Sequence, residues 1–329
     1  MMRSIVQQIN LEAQASGVNM VRCSKCSAEA VTFIRYNGNS LCPEHFTEYV
    51  DKRIKREIRS QLDIGRGKHI AVAISGGKDS SVTLFTLAKI LGGRRDVRLS
   101  AFTVDEGIAG YRPASLDKVI QLTSRLGIEH HVVSFQKEVG TTMDELAPLS
   151  GGQSPCSYCG VFRRRCMNKA AKELGADLVA TGHNLDDTAQ SVMMNFMRGD
   201  VERLARRGPH LRVQPGLVPR IEPLRLIPEK ESYLYALLND IEFSDNECPY
   251  AGGALRNDYR AMIDEMEQKH PGTKFSIVAS YDAIRPMMHV HFPSAVLGVC
   301  RCGEPTCNEQ CMACEMLEKA RNALKNKNG

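Results

Sequence analysis

Residues 70–81, with the sequence IAVAISGGKDSS, constrain the fold of this chain more than any other segment. The apolar run 70–74 predicts a buried parallel strand, and apolar residues at helical spacing from 82 to 91 predict a helix directly after the glycines. Gly76 and Gly77 allow the backbone to approach a ligand closely, and the amides of the first helical turn point outward at the positive end of the helix dipole. This strand–turn–helix unit is therefore expected to bind phosphate groups.

The turn at 75–80 has the sequence SGGKDS, which matches the pyrophosphatase-loop pattern SGGxDS of enzymes that split ATP into AMP and pyrophosphate. A Walker A loop would need Gly-x-x-x-x-Gly-Lys-Ser/Thr, so transfer of the γ-phosphoryl group is not expected. Cleavage between the α- and β-phosphates leaves adenylate on the substrate. We therefore expect an enzyme that activates a carbonyl or amide oxygen as a leaving group, which a nucleophile then displaces.

The segments around this loop alternate between strand and helix patterns. Strands are predicted at 70–74, 99–104 and 131–135 with helices between them, and this βαβαβ order implies an α/β fold with a parallel sheet. Ligands bind at the carboxyl ends of such strands. The loop after Ser75, the segment Asp105-Glu106-Gly107 and a later strand end at Gly182 are expected there. Asp186 and Asp187 then begin a helix, where acidic residues usually act as caps. Both cannot cap in the same way, so one of them is expected to face the nucleotide.

Five segments are predicted from the pattern as a whole. They are an N-terminal helical extension at 1–22, a zinc finger at 23–50, a connecting helix at 51–68, the catalytic domain at 69–295 and a C-terminal zinc finger with its tail at 296–329. Within the catalytic domain, residues 199–228 carry repeated Gly and Pro and are predicted to form a long loop. His289 and His291 alternate as in a strand and are interpreted as surface histidines.

The N-terminal cysteines have the spacing of a zinc site. Cys23-x-x-Cys26 is followed by Cys42-Pro-Glu-His45, which offers the four ligands of a tetrahedral site on either side of a hairpin around Asn-Gly-Asn.

The C-terminal group holds five cysteines within fifteen residues and predicts a second zinc site. The favoured ligands are Cys300, Cys302, Cys311 and Cys314. Cys307 is then either surplus or a replacement for Cys300.

The central group consists of Cys156, Cys159 and Cys166, with Cys248 far along the chain. Three thiolates could hold three irons of a [4Fe-4S] cluster and leave the fourth iron open. A catalytic cysteine pair that carries persulfide and a set of simple buried thiols are the alternatives. Cys166 is expected to be a packing residue, because it lies on the helix after Cys159 without a partner.

Composition and charge indicate the cellular compartment and the kind of partner. The chain has 329 residues, a net charge of +5, no run of 18 apolar residues and no signal-peptide core, so we expect a cytoplasmic protein with reduced cysteines and no membrane partner. Basic residues cluster at 52–68, 163–165 and 203–225. Three such clusters around one nucleotide site favour an RNA substrate.

Five features occur along this chain in a fixed order between the terminal cysteine modules and including them: the loop SGGKDS, the pair CSYCG, the turn GHNLDD, the cysteine in ECPY and the modules themselves. In this combination the chain resembles the tRNA 2-thiouridine synthetases of the archaeal and eukaryotic cytosolic thiouridylase type, which are related to the bacterial enzyme that thiolates the T-loop. The resemblance implies a PP-loop fold of the adenine nucleotide alpha hydrolase-like type, usually dimeric and flanked by two zinc fingers.

The resemblance also implies roles for individual residues. ATP and Mg²⁺ would bind to the loop residues and the adenosine to nearby backbone: Ser75, Gly76, Gly77, Lys78, Asp79 and Ser80, with Ala73, Thr103 and Gly182. Cys156, Cys159 and Cys248 would hold the cluster and act in catalysis. Asp187 matches the active-site aspartate of the family. Arg163 stands where relatives can carry lysine, and a guanidinium is a poor proton donor. The spacing Cys300-Arg-Cys302 departs from the usual Cys-x-x-Cys.

The implied reaction is adenylation of the uridine C2 oxygen followed by its replacement with sulfur, with uridine 34 of tRNA as the favoured target. Thiolation of uridine 54 or cytidine 32, and another amidating or RNA-modifying PP-loop synthetase, are the alternatives. A non-catalytic zinc and RNA-binding module is a competitor from a different class. The expected partners are tRNA, a second copy of the chain, and a sulfur donor that is free sulfide, a persulfide or a ubiquitin-like thiocarboxylate carrier.

Overall fold

The computed structural model describes residues 21–149, 154–209, 214–251, 255–293 and 295–327. The helical extension predicted at 1–22 therefore lies almost entirely outside the described residues. Among the described helices, none combines the length and the apolar character that crossing a bilayer requires.

A five-stranded parallel sheet lies at the centre of the molecule, with the strand order β5-β4-β3-β6-β7. Its strands are β3 (Lys68–Ala73), β4 (Val97–Asp105), β5 (His130–Ser134), β6 (Leu178–Thr181) and β7 (Arg220–Ile221). Two short hairpins stand outside it, β1 (Thr32–Ile34) with β2 (Asn39–Leu41) and β8 (Gly298–Val299) with β9 (Pro305–Thr306). Because β3 pairs with β4 on one side and with β6 on the other, the strand order reverses at β3, which is where ligands bind in such sheets.

The described part of the chain contains twelve α-helices, some packed on the sheet and others on neighbouring helices. They are α1 (Pro43–Gln61), α2 (Lys78–Leu91), α3 (Arg112–Leu126), α4 (Phe135–Val139), α5 (Met143–Leu146), α6 (Pro155–Glu173), α7 (Leu185–Met197), α8 (Val201–Ala205), α9 (Glu229–Leu238), α10 (Arg256–Lys269), α11 (Thr273–His291) and α12 (Met312–Lys327). A 3₁₀ turn at Ala147–Leu149 links α5 to the segment before α6.

The two faces of β3 belong to different hydrophobic clusters because side chains alternate along a strand. Ile70, Val72 and Ile74 pack into the cluster that includes helices α1, α2 and α9, while Ala71 packs into the cluster that includes α6. The N-terminal module joins the first cluster and the C-terminal module joins the second. Each cysteine module is therefore packed against one face of the central domain. Cys166 is fully buried in the second cluster, as a packing residue would be.

Two predicted elements were wrong. His289 and His291 do not lie on a strand but in the last turn of α11. Alternation over three residues is too short to separate a strand from a helix, and this 19-residue helix continues through Pro286. The stretch 199–228 is not one loop, since it contains α8 and the edge strand β7. In addition, the connecting helix begins at Pro43, so His45 lies in its first turn.

His130 makes the stability of the fold dependent on pH. Burial lowers its pKa to about 4, against about 6.5 in an unfolded chain. Thr103 Oγ1 donates to the carbonyl of Ile74, so His130 Nε2 carries the hydrogen in its 2.9 Å contact with Thr103 Oγ1. Between pH 6.5 and 4 the imidazole of His130 is protonated in the unfolded chain but remains neutral in the folded one. The free energy of unfolding therefore falls as the pH is lowered.

We expect His130→Gln to keep a donor toward Thr103 and to flatten this dependence. Urea unfolding of wild type and variant at pH 7, 6 and 5 would measure the free energy of unfolding of each. The difference between the two slopes of this free energy against pH cancels the contributions of groups that both proteins share. Parallel curves for wild type and variant would contradict the assignment.

Candidate active site and metal centres

The SGGKDS loop connects β3 to α2 and leaves the start of α2 open. Gly76 has a φ of +87°, and a Cβ there would lie 2.3 Å from the carbonyl oxygen of Ser115, so only glycine fits. Ser80 Oγ accepts from the amide of Ser75 at 3.1 Å and donates to the carbonyl of Gly77 at 2.9 Å, which fixes the turn. Within the described residues the amides of Lys78, Asp79 and Ser80 have no hydrogen-bond acceptor. The loop therefore presents free donors at a helix N-terminus, where anions bind.

Lys78 is held over this loop by two carboxylates. Its Nζ lies 2.8 Å from Asp79 Oδ2 and 3.0 Å from Glu229 Oε1, and Glu229 also pairs with Arg260 of α10 at 2.7 Å. Burial raises the pKa of Asp79, although Lys78 opposes the shift. A change of the Lys78 rotamer would move its ammonium group from these carboxylates to a phosphate bound on the loop.

The residues expected near adenosine lie at the carboxyl ends of the three central strands. Ala73 ends β3, and Thr103 lies near the end of β4 with its hydroxyl turned back to the carbonyl of Ile74 at 2.8 Å. Gly182 follows β6 directly and touches the start of α2. A Cβ at Gly182 would lie 2.7 Å from the amide nitrogen of Ser80 and 2.8 Å from the carbonyl carbon of Asp79.

We expect Gly182→Ala to push the first turn of α2 away from β6. The clash is with backbone, so the cost should be about 1–3 kcal/mol of stability together with a loss of ATP affinity, as for overpacking elsewhere. Isothermal titration with ATP and thermal unfolding would measure both. Gly93→Ala is the matched control, because a Cβ there meets nothing within 4 Å. Wild-type ATP affinity in Gly182→Ala would refute the close packing.

Asp186 and Asp187 have different roles at the start of α7. Asn184 is the N-cap residue, and Asp187 completes a capping box with it at 2.9 and 3.3 Å. The other oxygen of Asp187 lies 3.5 Å from Arg256 Nη1. Asp186 is buried, accepts from the amide of Glu229 at 2.8 Å and pairs with Lys274. Asp187 is thus the more accessible carboxylate and also a capping residue.

Glu106 connects the SGGKDS loop to the central cysteines. It is 1% exposed at the end of β4 and binds Arg112 on one side and Arg163, at 2.9 Å, on the other. Arg112 Nη1 donates to the carbonyl of Ser75 at 2.8 Å, and Arg163 Nη2 donates to Cys159 Sγ at 3.3 Å. Burial works against the charge of Arg163, but Glu106 and Cys159 outweigh it and raise its pKa. Arg163 is therefore a fixed positive charge and not a proton donor.

Two of the central cysteines lie at the start of α6, and the segment that carries the third contacts them. Cys156 and Cys159 lie in its first turns, and Cys156 Sγ donates to the carbonyl of Tyr250 at 3.4 Å, two residues beyond Cys248. The same segment reaches the phosphate loop, since the amide of Ser244 donates to the carbonyl of Gly76 at 2.8 Å. Burial raises the pKa of Cys159, and Arg163 opposes this shift.

Within the described residues, the compact sets of metal ligands are the two terminal ones. Cys156, Cys159 and Cys248 do not form a set whose sulfurs all lie within 4.8 Å of one another. This wider spacing is unsuited to a single ion. A cubane binds each thiolate through a different iron, so the three-thiol donor set fits such a cluster.

Each terminal module brings four ligand atoms within 4.8 Å of one another. The N-terminal set is Cys23, Cys26, Cys42 and His45, in which Cys42 Sγ lies 3.3 Å from His45 Nδ1. The C-terminal set is Cys300, Cys302, Cys311 and Cys314. Both donor sets are those of structural zinc sites. Cys307, considered as an alternative ligand, is exposed and lies outside the set, whereas Cys300 lies inside it despite its unusual spacing.

Glu106 was expected from the sequence at a strand end that lines the ligand site, and the structure places it directly after β4. Its two arginine partners and three other contacts of this site were not identified as such. Glu229 and Arg256 carry no local signal, because their partners Lys78 and Asp187 lie 151 and 69 residues away in the chain. Arg112 lies six residues from Glu106, but its contact with Ser75 spans 37 residues.

Comparison with known proteins agrees with this geometry. A family model for the PP-loop domain matches residues 48–263, and a model for the N-terminal LIM domain of the 2-thiouridine synthetase TtuA matches residues 22–47. The tRNA 2-thiolation protein NcsA of Haloferax volcanii is 36% identical over 319 residues, which cover 91% of this chain and 98% of that protein. The tRNA-5-methyluridine(54) 2-sulfurtransferase of Pyrococcus horikoshii is 34% identical over 296 residues, covering 90% of this chain and 93% of that protein.

A solved structure is similar along almost the whole chain. It is the U34-tRNA thiolase NcsA from Methanococcus maripaludis with its [4Fe-4S] cluster, with a TM-score of 0.80 and 33% sequence identity over 92% of this chain and 96% of that one. Family match, sequence identity and overall geometry lead to the same assignment. The chain belongs to the PP-loop family and, within it, to the tRNA 2-thiolation proteins.

Proposed function

We propose that this chain is an ATP-dependent tRNA-uridine 2-sulfurtransferase that converts uridine 34 of tRNA to 2-thiouridine. The observation that carries the proposal is the link made by Glu106, which ties the loop expected to bind ATP to the helix that bears Cys156 and Cys159. Activation of the C2 oxygen and delivery of sulfur to the C2 carbon must act on the same carbonyl group of the substrate. The two sets of groups lie on opposite sides of one buried ion-pair network, as that chemistry requires.

Adenylation would take place on the SGGKDS loop. The free amides of α2, with Ser75, Gly76, Gly77 and Ser80, would hold the phosphates, and Asp79 would hold Mg²⁺. The uridine C2 oxygen attacks the α-phosphorus, and the bond from that phosphorus to the oxygen bridging to the β-phosphorus breaks. Lys78 would stabilise the negative charge that leaves with pyrophosphate, as preorganised donors do in transition states.

The sulfur step would take place beside Cys159. A sulfur nucleophile forms a bond to C2, the C2–O bond breaks, and AMP leaves with the former uridine oxygen and the electron pair. Cys156, Cys159 and Cys248 would hold a [4Fe-4S] cluster, which when bound supplies an open iron for sulfur. Arg163 would place its fixed charge near the departing phosphate. Asp187 would orient the nucleotide or the uridine in addition to capping α7.

Thiolation at position 54 is the second candidate. The Pyrococcus horikoshii relative is named for that position. Position 34 is preferred because the solved structure that is similar over 92% of this chain is described as a U34-tRNA thiolase.

The proposed partners are tRNA, a second copy of the chain in a homodimer, and a sulfur donor. Free sulfide or a ubiquitin-like thiocarboxylate carrier would supply the sulfur. Relatives from flies are named cytoplasmic tRNA 2-thiolation proteins, and we propose the cytoplasm for this chain as well.

Nucleoside mass spectrometry of tRNA from a deletion strain tests the function and the position together. The proposal expects loss of 2-thiouridine at position 34 and its return when the gene is supplied again. Loss at position 54 alone would support the second candidate. Unchanged 2-thiouridine at both positions would refute both candidates.

A further inference from the structure

A large cavity lies on a side of α6 that the proposed chemistry does not use. It measures about 1070 Å³ and lies between α6, the segment 214–220, the C-terminal half of α11 and the C-terminal module. We call it the arginine cavity, after Arg164, Arg220, Arg225 and Arg285 in its wall. Arg164 is five residues beyond Cys159, about 7.5 Å along the axis of α6. The cavity therefore begins next to the cysteines.

Two of the positive charges of this cavity lack a direct partner within the described residues. The side chains of Arg164 and Arg220 make no hydrogen bond or ion pair there, and burial together with Arg203 and Arg163 lowers the pKa of Arg164. Burial and the neighbouring Arg164 likewise lower the pKa of Arg220. Unpaired cations held close together destabilise a fold, so they call for an anion that the chain itself does not provide.

Deeper in the cavity, two more guanidinium groups are only partly satisfied. Arg225 is 5% exposed and pairs with Asp282 at 2.9 and 2.5 Å, but its Nε has no hydrogen-bond partner. Arg285 donates to the carbonyl of Pro209 at 3.0 Å, and its Nε is also unpartnered. The wall holds three acids, Glu57, Asp282 and Glu304, against six arginines. Asp282 is committed to Arg225, and burial raises the pKa of Glu57 and so weakens its charge. The wall therefore carries a net positive charge.

We propose that the arginine cavity holds the phosphodiester backbone of the RNA that flanks the target uridine, an inference that rests on the proposed function. Planar guanidinium groups bind phosphate oxygens in pairs, and a row of them suits successive phosphates better than one carboxylate ligand. The volume exceeds the range of about 300–1,000 Å³ that is usual for a single small ligand. The position beside Cys159 places the backbone next to the base that reacts.

The test is binding of labelled tRNA to the full chain at several salt concentrations, followed by fluorescence anisotropy. Each phosphate contact to single-stranded RNA contributes about 0.7 to the slope of log affinity against log salt. The double variant Arg164→Gln/Arg220→Gln should bind tRNA about tenfold or more weakly at 0.1 M salt and lose roughly 1–2 from the slope. The double lysine variant should keep the slope, because it keeps the charges.

Two further measurements exclude trivial causes. The glutamine variant should retain ATP affinity, and its melting temperature should equal or exceed that of wild type, because it removes repulsion between cations. Arg95→Gln is the matched control, since Arg95 is exposed and precedes β4, which lies on the other side of β3 from β7 and Arg220. It should bind tRNA as wild type does.

Wild-type tRNA affinity and salt slope in the glutamine double variant would overturn the inference. Stabilisation of wild type, but not of the variant, by inorganic tripolyphosphate with unchanged tRNA binding would overturn it in favour of a small-anion site. If the variant loses tRNA binding and wild type makes no 2-thiouridine, the proposed function fails and the inference about RNA binding stands.

Discussion

Cys248→Ala should abolish formation of 2-thiouridine while the protein still folds and binds ATP. Cys248 lies in a segment whose backbone contacts both Cys156 and Gly76, so removal of one thiol leaves those contacts in place. The three-thiol donor set becomes a pair, and we expect loss of most of the iron along with the activity. Anaerobic iron analysis, ATP titration and nucleoside analysis of tRNA products are the measurements.

Two variants make this result specific. Cys307→Ser is the matched control, because Cys307 is an exposed thiol outside the C-terminal ligand set, and it should keep iron and activity. Lys78→Ala should show the reverse pattern, with iron retained and nucleotide use lost. Full thiolation and full iron in Cys248→Ala would show that Cys248 is a packing residue.

Glu106→Gln should give the largest loss of stability among single changes in the site. It removes the carboxylate that neutralises both Arg112 and Arg163, and the side chain of Arg112 is only 4% exposed. Removal of one partner from a buried ion pair costs about 3–5 kcal/mol, because the other charge stays buried. We therefore expect a matching drop in the free energy of unfolding, measured with urea.

The control for Glu106→Gln is Glu129→Gln. Glu129 pairs with Arg98 at 2.8 Å, but both side chains are more than half exposed, and such pairs contribute about 1 kcal/mol or less. Equal losses in the two variants would contradict a special role for the Glu106 network. If Glu106→Gln folds at low temperature, it should also weaken ATP binding through Arg112 and Ser75.

The parts of this molecule that depend on local sequence could be predicted. The strand–turn–helix around Gly76 and the ligands of the N-terminal module follow from residues close together in the chain, and the structure brings them together. The role of Glu229 could not be predicted, because it reaches Lys78 only after α9 packs against α2.

The C-terminal module shows the same limit. Spacing alone left Cys307 and Cys300 as competing ligands, and tertiary packing decides between them by burying Cys300 and exposing Cys307. The strand predicted at His289 and His291 failed for a related reason, since packing of α11 against α7 overrides a three-residue alternation. The arginine cavity likewise depends on elements far apart in sequence.

The most direct test of the central claim follows the uridine oxygen. tRNA that carries ¹⁸O at C2 of the target uridine would be incubated anaerobically with reconstituted enzyme, ATP and sulfide, and the AMP analysed by mass spectrometry. The account predicts one labelled AMP for each 2-thiouridine formed, because the C2 oxygen bonds to the α-phosphorus and leaves with it. Unlabelled AMP alongside 2-thiouridine would contradict adenylation of the uridine oxygen.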